Sequence, residues 1–358
     1  MPRVTLRTVV LGLIIVIPAA ALVSTLLASC QALTSMSTPS PGTLESTQSS
    51  EESQPAPNTA DVEASAPLTD VQAARLMYDL SDGGPETAQT AVSAILAAGD
   101  TRFVSVFVEL LRANQLGLVR GVGPLTVAGA LHALSDQRYG GDWASWVEWY
   151  GGTELAPPPG FTGWKGELLG RIDPGFVEFL QDGAPSRIRV EEIVWGGVRV
   201  DGIPALDNAA MIPAESADYL DPDEPVFGIS IDGDSRAYPL RIMDWHEMAN
   251  DVVGGVPVSF AYCTLCGAGI PYDGRASDGA IYTFGSSGFL YRSNKLMYDR
   301  QTRTLWNQLT GEPVLGELAG SELRLSILPS VITTWDAWKT QHPGTVVLNI
   351  NTGYERPY

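Results

Sequence analysis

Near residue 200 the spacing of apolar residues changes from a helical period to an alternating one, and one element type cannot satisfy both patterns. Between residues 67 and 152 apolar residues recur at helical intervals. "LTDVQAARLMYDLS" opens with a Thr/Asp cap signal. "PETAQTAVSAILAAGD" begins with Pro and ends at Gly, the usual frame of a helix. "TRFVSVFVELLRANQ", "PLTVAGALHALSD" and "GDWASWVEWYGG" continue the series. These segments predict a small antiparallel helical array, HEAT-like in style but without a fixed period. Trp143, Trp146 and Trp149, at three-residue steps, are expected to form core or a docking face.

Residues 153–200 read as a connecting region with Pro–Gly breaks and one or two short helices. From residue 201 the texture is strand and turn. "PVFGISIDGDSRAYPL" alternates around "DGD" and predicts a hairpin. "VPVSFAYCTLC", "AIYTFGSSG", "KLMYDRQTRTLWNQL", "ELRLSILP" and "VVLNI" read as further strands, and "TTWDAWKTQHPGT" as a short helix. "DWHEMANDVVGG" reads as a helical turn between strands. The expected class is α+β: a helical array over 67–152, then a mostly antiparallel β-rich domain over 201–358, closed as a barrel or sandwich.

The first thirty residues read as an address. Arg3 and Arg7 precede the uncharged run "TVVLGLIIVIPAAALVSTLLAS", which ends at "LASC". This resembles a bacterial lipobox, with a signal peptide over 1–29 and Cys30 as the lipidated residue. An uncleaved membrane anchor is the alternative, since the apolar run is long enough to span a bilayer. Either reading anchors the body at the extracytoplasmic face of the cell membrane. Residues 30–66 lack aromatics and carry only negative charges, a composition that predicts a disordered Ser/Thr/Pro tether. The formal net charge of the 358-residue chain is -19, which argues against nucleic acid as a partner. The expected partners are the membrane, through the anchor, and a redox or envelope protein.

With Cys30 set aside, two cysteines remain for chemistry, Cys263 and Cys266 in "FAYCTLCGAG". The spacing allows a structural disulfide, a thiol redox couple or half of a metal clamp. A thioredoxin-type pair needs a helix N-terminus after the motif. The following "GAGIPYDG" is a poor helix former, so that fold is not expected. A metal site would recruit His246, with Met297 completing a copper set or a carboxylate such as Glu247 a zinc set. "HEMAND" is not the metalloprotease H-E-x-x-H, because its fifth residue is Asn250. Asp299 and Arg300 in "MYDRQTRTLW" read as an ion pair bracing a hairpin or as an anion fork, and Arg236 as a further support. "FGSSG" reads as a turn.

"DGIPALDN", "SRAYPLRIMDWHEMANDVVGGVPVSFAYCTLCGAG", "FGSSGFLYRSNKLMYDRQTRTLWNQLTGEPVLGELAG" and "TTWDAWKTQHPGTVVLNINTGYERPY" together resemble the bacterial domain-of-unknown-function family 3179 over about residues 201–358. The family has no settled activity to carry over. Members with selenocysteine in the C-x-x-C imply redox chemistry at Cys263 or Cys266. The resemblance includes His246. The family pattern has Pro inside the motif where this chain has Thr264. It also continues past "GYERPY", implying a domain short of its last strand or two. The functional expectation is an exported thiol redox or metal-handling protein with Cys263, Cys266 and His246 at its centre. The alternative is a non-enzymatic envelope interaction protein whose C-x-x-C is a structural disulfide.

Overall fold

Among the described residues seven α-helices come first: α1 (Asp70–Ser81), α2 (Pro85–Ala98), α3 (Phe103–Gln115), α4 (Pro124–Ser135), α5 (Trp143–Gly151), α6 (Phe161–Gly170) and α7 (Gly175–Phe179). Local chemistry sets their ends. Thr69 and Gln72 form a capping box on α1, with Thr69 N–H donating to Gln72 Oε1 at 2.9 Å. Pro85 opens α2, and Gly99 closes it at φ 60. The Asp142 carboxylate accepts the Ser145 N–H at the start of α5. The computed structural model describes residues 66–358. The predicted signal peptide, Cys30 and all but the last residue of the tether lie outside the described residues. Among the described residues no helix is long and apolar enough to cross a membrane.

Met77, Phe107, Leu131, Trp146 and Trp164 share one core, so α6 packs with the helices before it, past the boundary drawn at residue 152. The Trp164 indole N–H donates to the Met77 carbonyl at 3.0 Å. Of the tryptophan stripe, Trp146 is fully buried, while Trp143 and Trp149 pack against the core with part of their rings exposed.

The remainder is three five-stranded sheets, rather than one barrel or a two-sheet sandwich. In chain order the elements are β1 (Ile193–Trp195), β2 (Leu206–Asp207), β3 (Met211–Pro213), β4 (Pro225–Ile231), β5 (Asp234–Pro239), α8 (Leu240–His246), β6 (Met248–Val253), β7 (Val256–Cys263) and β8 (Ala268–Ala276). There follow β9 (Phe284–Tyr291), β10 (Asn294–Asp299), β11 (Leu305–Asn307), β12 (Glu312–Leu315), β13 (Leu325–Ile327), β14 (Val331–Thr334), α9 (Trp335–Gln341) and β15 (Val346–Leu348). The sheet orders are β1-β9-β10-β11-β12, β13-β8-β7-β6-β2 and β14-β4-β5-β15-β3. All pairings are antiparallel except β2 with β6 and β5 with β15. The fold is therefore α+β with a mostly antiparallel C-terminal part.

The "DGD" hairpin forms as β4 and β5, with Asp232 at φ 48 and Gly233 at φ 86 in the turn. Two expectations change. "DWHEMANDVVGG" splits into the end of α8 and the whole of β6, and β6 pairs along its full length with β7. "FGSSG" is the start of β9, not a turn, although Gly288 within it has φ 81.

Candidate functional site

The C-x-x-C is the tip of the β7–β8 hairpin. Cys263 is the last residue of β7 and pairs with Ala268, the first of β8. The Cys266 N–H donates to the Cys263 carbonyl at 3.1 Å, and Gly267 turns the chain at φ 61. Cys263 is buried and Cys266 exposed; both are free thiols, near enough for Cys266 to perturb Cys263. No helix follows the motif, because "GAGIPYDG" forms β8.

A second hairpin meets the first. Arg292 at φ 46 and Ser293 at φ 65 turn β9 into β10. The Cys266 thiol donates to the Ser293 carbonyl at 3.3 Å, and Asn294 Nδ2 donates to Cys266 Sγ at 3.3 Å. The Lys295 backbone N–H points at the Cys263 sulfur. Asn294 also donates to Gln308 Oε1 at 2.8 Å, and Gln308 Nε2 bridges the Ala261 and Ala268 carbonyls at 3.1 and 3.0 Å. This network ties the turn that carries Cys266 to β7, β8 and β10.

Beneath the thiols lies an ion pair. Lys295 is buried, and its Nζ donates to the Glu247 carbonyl at 3.0 Å and sits 3.3 Å from the Glu247 carboxylate. Burial pushes the Lys295 amine below its usual range, and Glu247 opposes that shift, with a smaller contribution from Cys263. Burial pushes the Cys263 thiol up to about 11; the neighbouring Cys266 thiol adds to this, while the backbone N–H groups of Lys295 and Cys266 oppose it.

Of the residues singled out in the sequence, the fold gathers Cys263, Cys266 and Glu247. It adds Asn294 and Lys295, whose register on β10 carried no signal at the motif. His246 and Glu247 part company at the α8–β6 junction, where Glu247 adopts φ 53 and reverses the chain. The His246 ring then turns to the C-terminal tail. Its Nδ1 lies 2.8 Å from the Pro204 carbonyl, and its Nε2 lies 2.5 Å from the Tyr358 hydroxyl. Nδ1 therefore carries the proton, and Nε2 accepts from Tyr358. Burial lowers the imidazole pKa, which keeps the ring neutral.

Met297 is buried among Met248, Phe284 and Trp306. The expected four-ligand metal set is thus not assembled: both His246 nitrogens are engaged and Met297 is in an apolar cluster. Among the described residues no group of three or more His, Cys, Asp and Glu side chains could hold a metal ion.

The supporting residues serve other places. Arg236 reaches Asp251 at 2.7 and 2.8 Å and Asp234 at 2.9 Å, bracing β5 against β6. Asp299 and Arg300 do not pair. Asp299 accepts from the Thr302 N–H at 2.6 Å and from the Trp306 indole at 2.9 Å, so it holds the β10–β11 turn together. Arg300 pairs instead with Asp207 on β2 at 2.5 Å.

Fold and site together define a class: a helical array joined to three mostly antiparallel sheets, with a thiol pair presented on a β-hairpin over a buried lysine. Residues 200–358 match the family model described as Protein of unknown function (DUF3179). No curated protein and no solved structure matches the chain.

Proposed function

We propose that Cys263 and Cys266 form a thiol–disulfide exchange site on a protein held by its lipidated N-terminus at the outer face of the cell membrane. The observation that carries this reading is the division of labour in the pair: an exposed thiol beside a buried one, above a buried lysine. Cys266, as thiolate, attacks one sulfur of a partner disulfide. A mixed disulfide forms, and the partner's other sulfur leaves with the proton Cys266 gave up. Cys263 then attacks Cys266 Sγ, its own proton going to the second departing partner sulfur. The partner is reduced by two electrons and the pair oxidised by two; a partner dithiol runs the sequence backwards. Lys295, as ammonium, stabilises the Cys263 thiolate that the second step requires. The hairpin turn, rather than a helix N-terminus, exposes the attacking sulfur.

The reduction potential tests this. A catalytic pair is expected to lie above about −270 mV, and a value below about −300 mV would identify a structural disulfide instead. In the reduced protein, iodoacetamide should label Cys266 in the folded state and Cys263 only after denaturation.

A further inference from the structure

A cleft of about 840 Å³ opens beside the thiol hairpin, between α3, α5, β1 and the β9–β10 turn. That volume falls in the range of true ligand sites, roughly 300–1,000 Å³. Leu265, between the two cysteines, lines it, as does Ser293, whose carbonyl receives the Cys266 thiol. Much of the wall is apolar, with Trp143, Val147 and Leu290 contributing. Leu265 itself is 75% exposed, an apolar side chain at a hairpin tip with nothing to cover it.

The polar groups of the cleft are unevenly paired. Arg292 and Glu192 satisfy each other at 2.5 and 3.1 Å. Arg112 stacks on the Trp143 ring at 4.9 Å, yet it makes no ion pair among the described residues; its one side-chain partner is Gln115. Its Nε and the Trp143 indole Nε1 are both shielded from solvent and find no acceptor. A chain of net charge -19 thus keeps an uncompensated guanidinium and two idle donors in an apolar cleft next to its thiols. Glu148 and Glu192 also line the cleft, yet neither carboxylate is bonded to these two donors, which are left for an anionic oxygen from outside. One wall is β1, the edge strand of its sheet, and an edge strand favours an extended peptide over a compact ligand.

We infer that this cleft receives an extended segment of a protein substrate, with an apolar side chain and an acidic side chain flanking the cysteine that reaches Cys266. The inference rests on the thiol-exchange reading and names its substrate class. Leu265 and Trp143 hold the apolar side chain, and Arg112 takes the carboxylate.

The test separates binding from chemistry. The full chain is titrated with a short synthetic peptide carrying phenylalanine and glutamate around a serine in place of the cysteine, and with the same peptide bearing lysine for glutamate. The acidic peptide should bind at least about tenfold more tightly, the ordinary value of one charge-assisted hydrogen bond. Arg112→Gln should erase that preference, Arg112→Lys should keep part of it, and Leu265→Glu, on an exposed turn, should weaken binding without disturbing the fold. Equal binding of the two peptides, or an Arg112→Gln variant that binds as the wild type does, overturns the proposal. So does binding of dodecanoate with no binding of either peptide, which would make the cleft a site for an amphipathic small molecule. Exchange with hydroxyethyl disulfide, measured in parallel, reports on the thiols alone. Its absence alongside intact peptide selectivity would sink the exchange chemistry and leave the cleft assignment standing.

Discussion

At the scale of single residues, Lys295 decides what the thiol pair can do. Its backbone N–H faces Cys263 and its ammonium reaches Glu247, so backbone and side chain both bear on the buried sulfur. The Cys263 thiol is harder to ionise folded, at about 11, than at its ordinary 9.0. The folded state therefore holds the proton that the unfolded state has lost. This contributes stability fully present below pH 9.0 and lost as pH rises through about 11. In Cys266→Ser, which removes the neighbouring thiol but not the burial, the Cys263 thiolate should still form only above its ordinary 9.0. Adding Lys295→Met should move that midpoint higher still, because the nearby cation is gone while the burial remains. A midpoint that stays put would show that Lys295 does not act on Cys263. The residues that meet at this site were half legible. The C-x-x-C spacing named the pair at once. Asn294 and Lys295 sit about thirty positions away in an ordinary strand pattern, and only hairpin-to-hairpin packing delivers them.

At the scale of elements, turns and caps decided more than periodicity. The capping box at Thr69, the Pro85 start, the Gly99 stop and the Asp232–Gly233 hairpin all follow from local backbone rules, and all four formed where the sequence put them. β6 was missed because "MANDVV" follows a helix directly, with only Glu247 at φ 53 to mark the change of direction. β1, β2, β3, β12 and β14 have two to four residues each, too few for an alternation to register. Gly228 on β4 shows what such packing requires. A Cβ there would lie 2.3 Å from the Trp338 ring of α9, which is fully packed against the sheet. Gly228→Ala should therefore cost about 1–3 kcal/mol by overpacking, measured as a lower midpoint of denaturant unfolding. A loss within about 0.5 kcal/mol, the range of an ordinary surface change, would mean that α9 shifts aside freely.

At the scale of the whole molecule, one buried cation joins the helices to the sheets. Lys165 on α6 is fully buried and donates to Glu109 of α3 at 2.6 Å and to the Val190 and Ile193 carbonyls at 3.1 and 2.5 Å. It holds the helical core against the start of β1, the strand that walls the proposed peptide cleft. Burial raises the Glu109 carboxyl pKa, and Lys165 counters that rise, so neither charge stands well alone. Lys165→Met should cost about 3–5 kcal/mol and increase amide exchange in both α3 and β1. Glu109→Gln, which removes a charge but keeps an acceptor, should cost less. Equal losses in the two variants would mean that packing, not charge pairing, dominates this junction.

What the sequence settled by itself was local. Periodicity separated the helical and strand regions, turn residues placed the "DGD" hairpin, and the spacing of Cys263 and Cys266 marked a candidate site. These depend on interactions between near neighbours, which a linear pattern records. Which side chains surround the thiols was decided by tertiary structure. A left-handed residue at Glu247 sends His246 to the tail and Glu247 to Lys295, and strand pairing alone determines that Lys295, not His246, lies beneath Cys263. The direction a side chain takes at such a junction depends on long-range register, and no spacing along the chain encodes it.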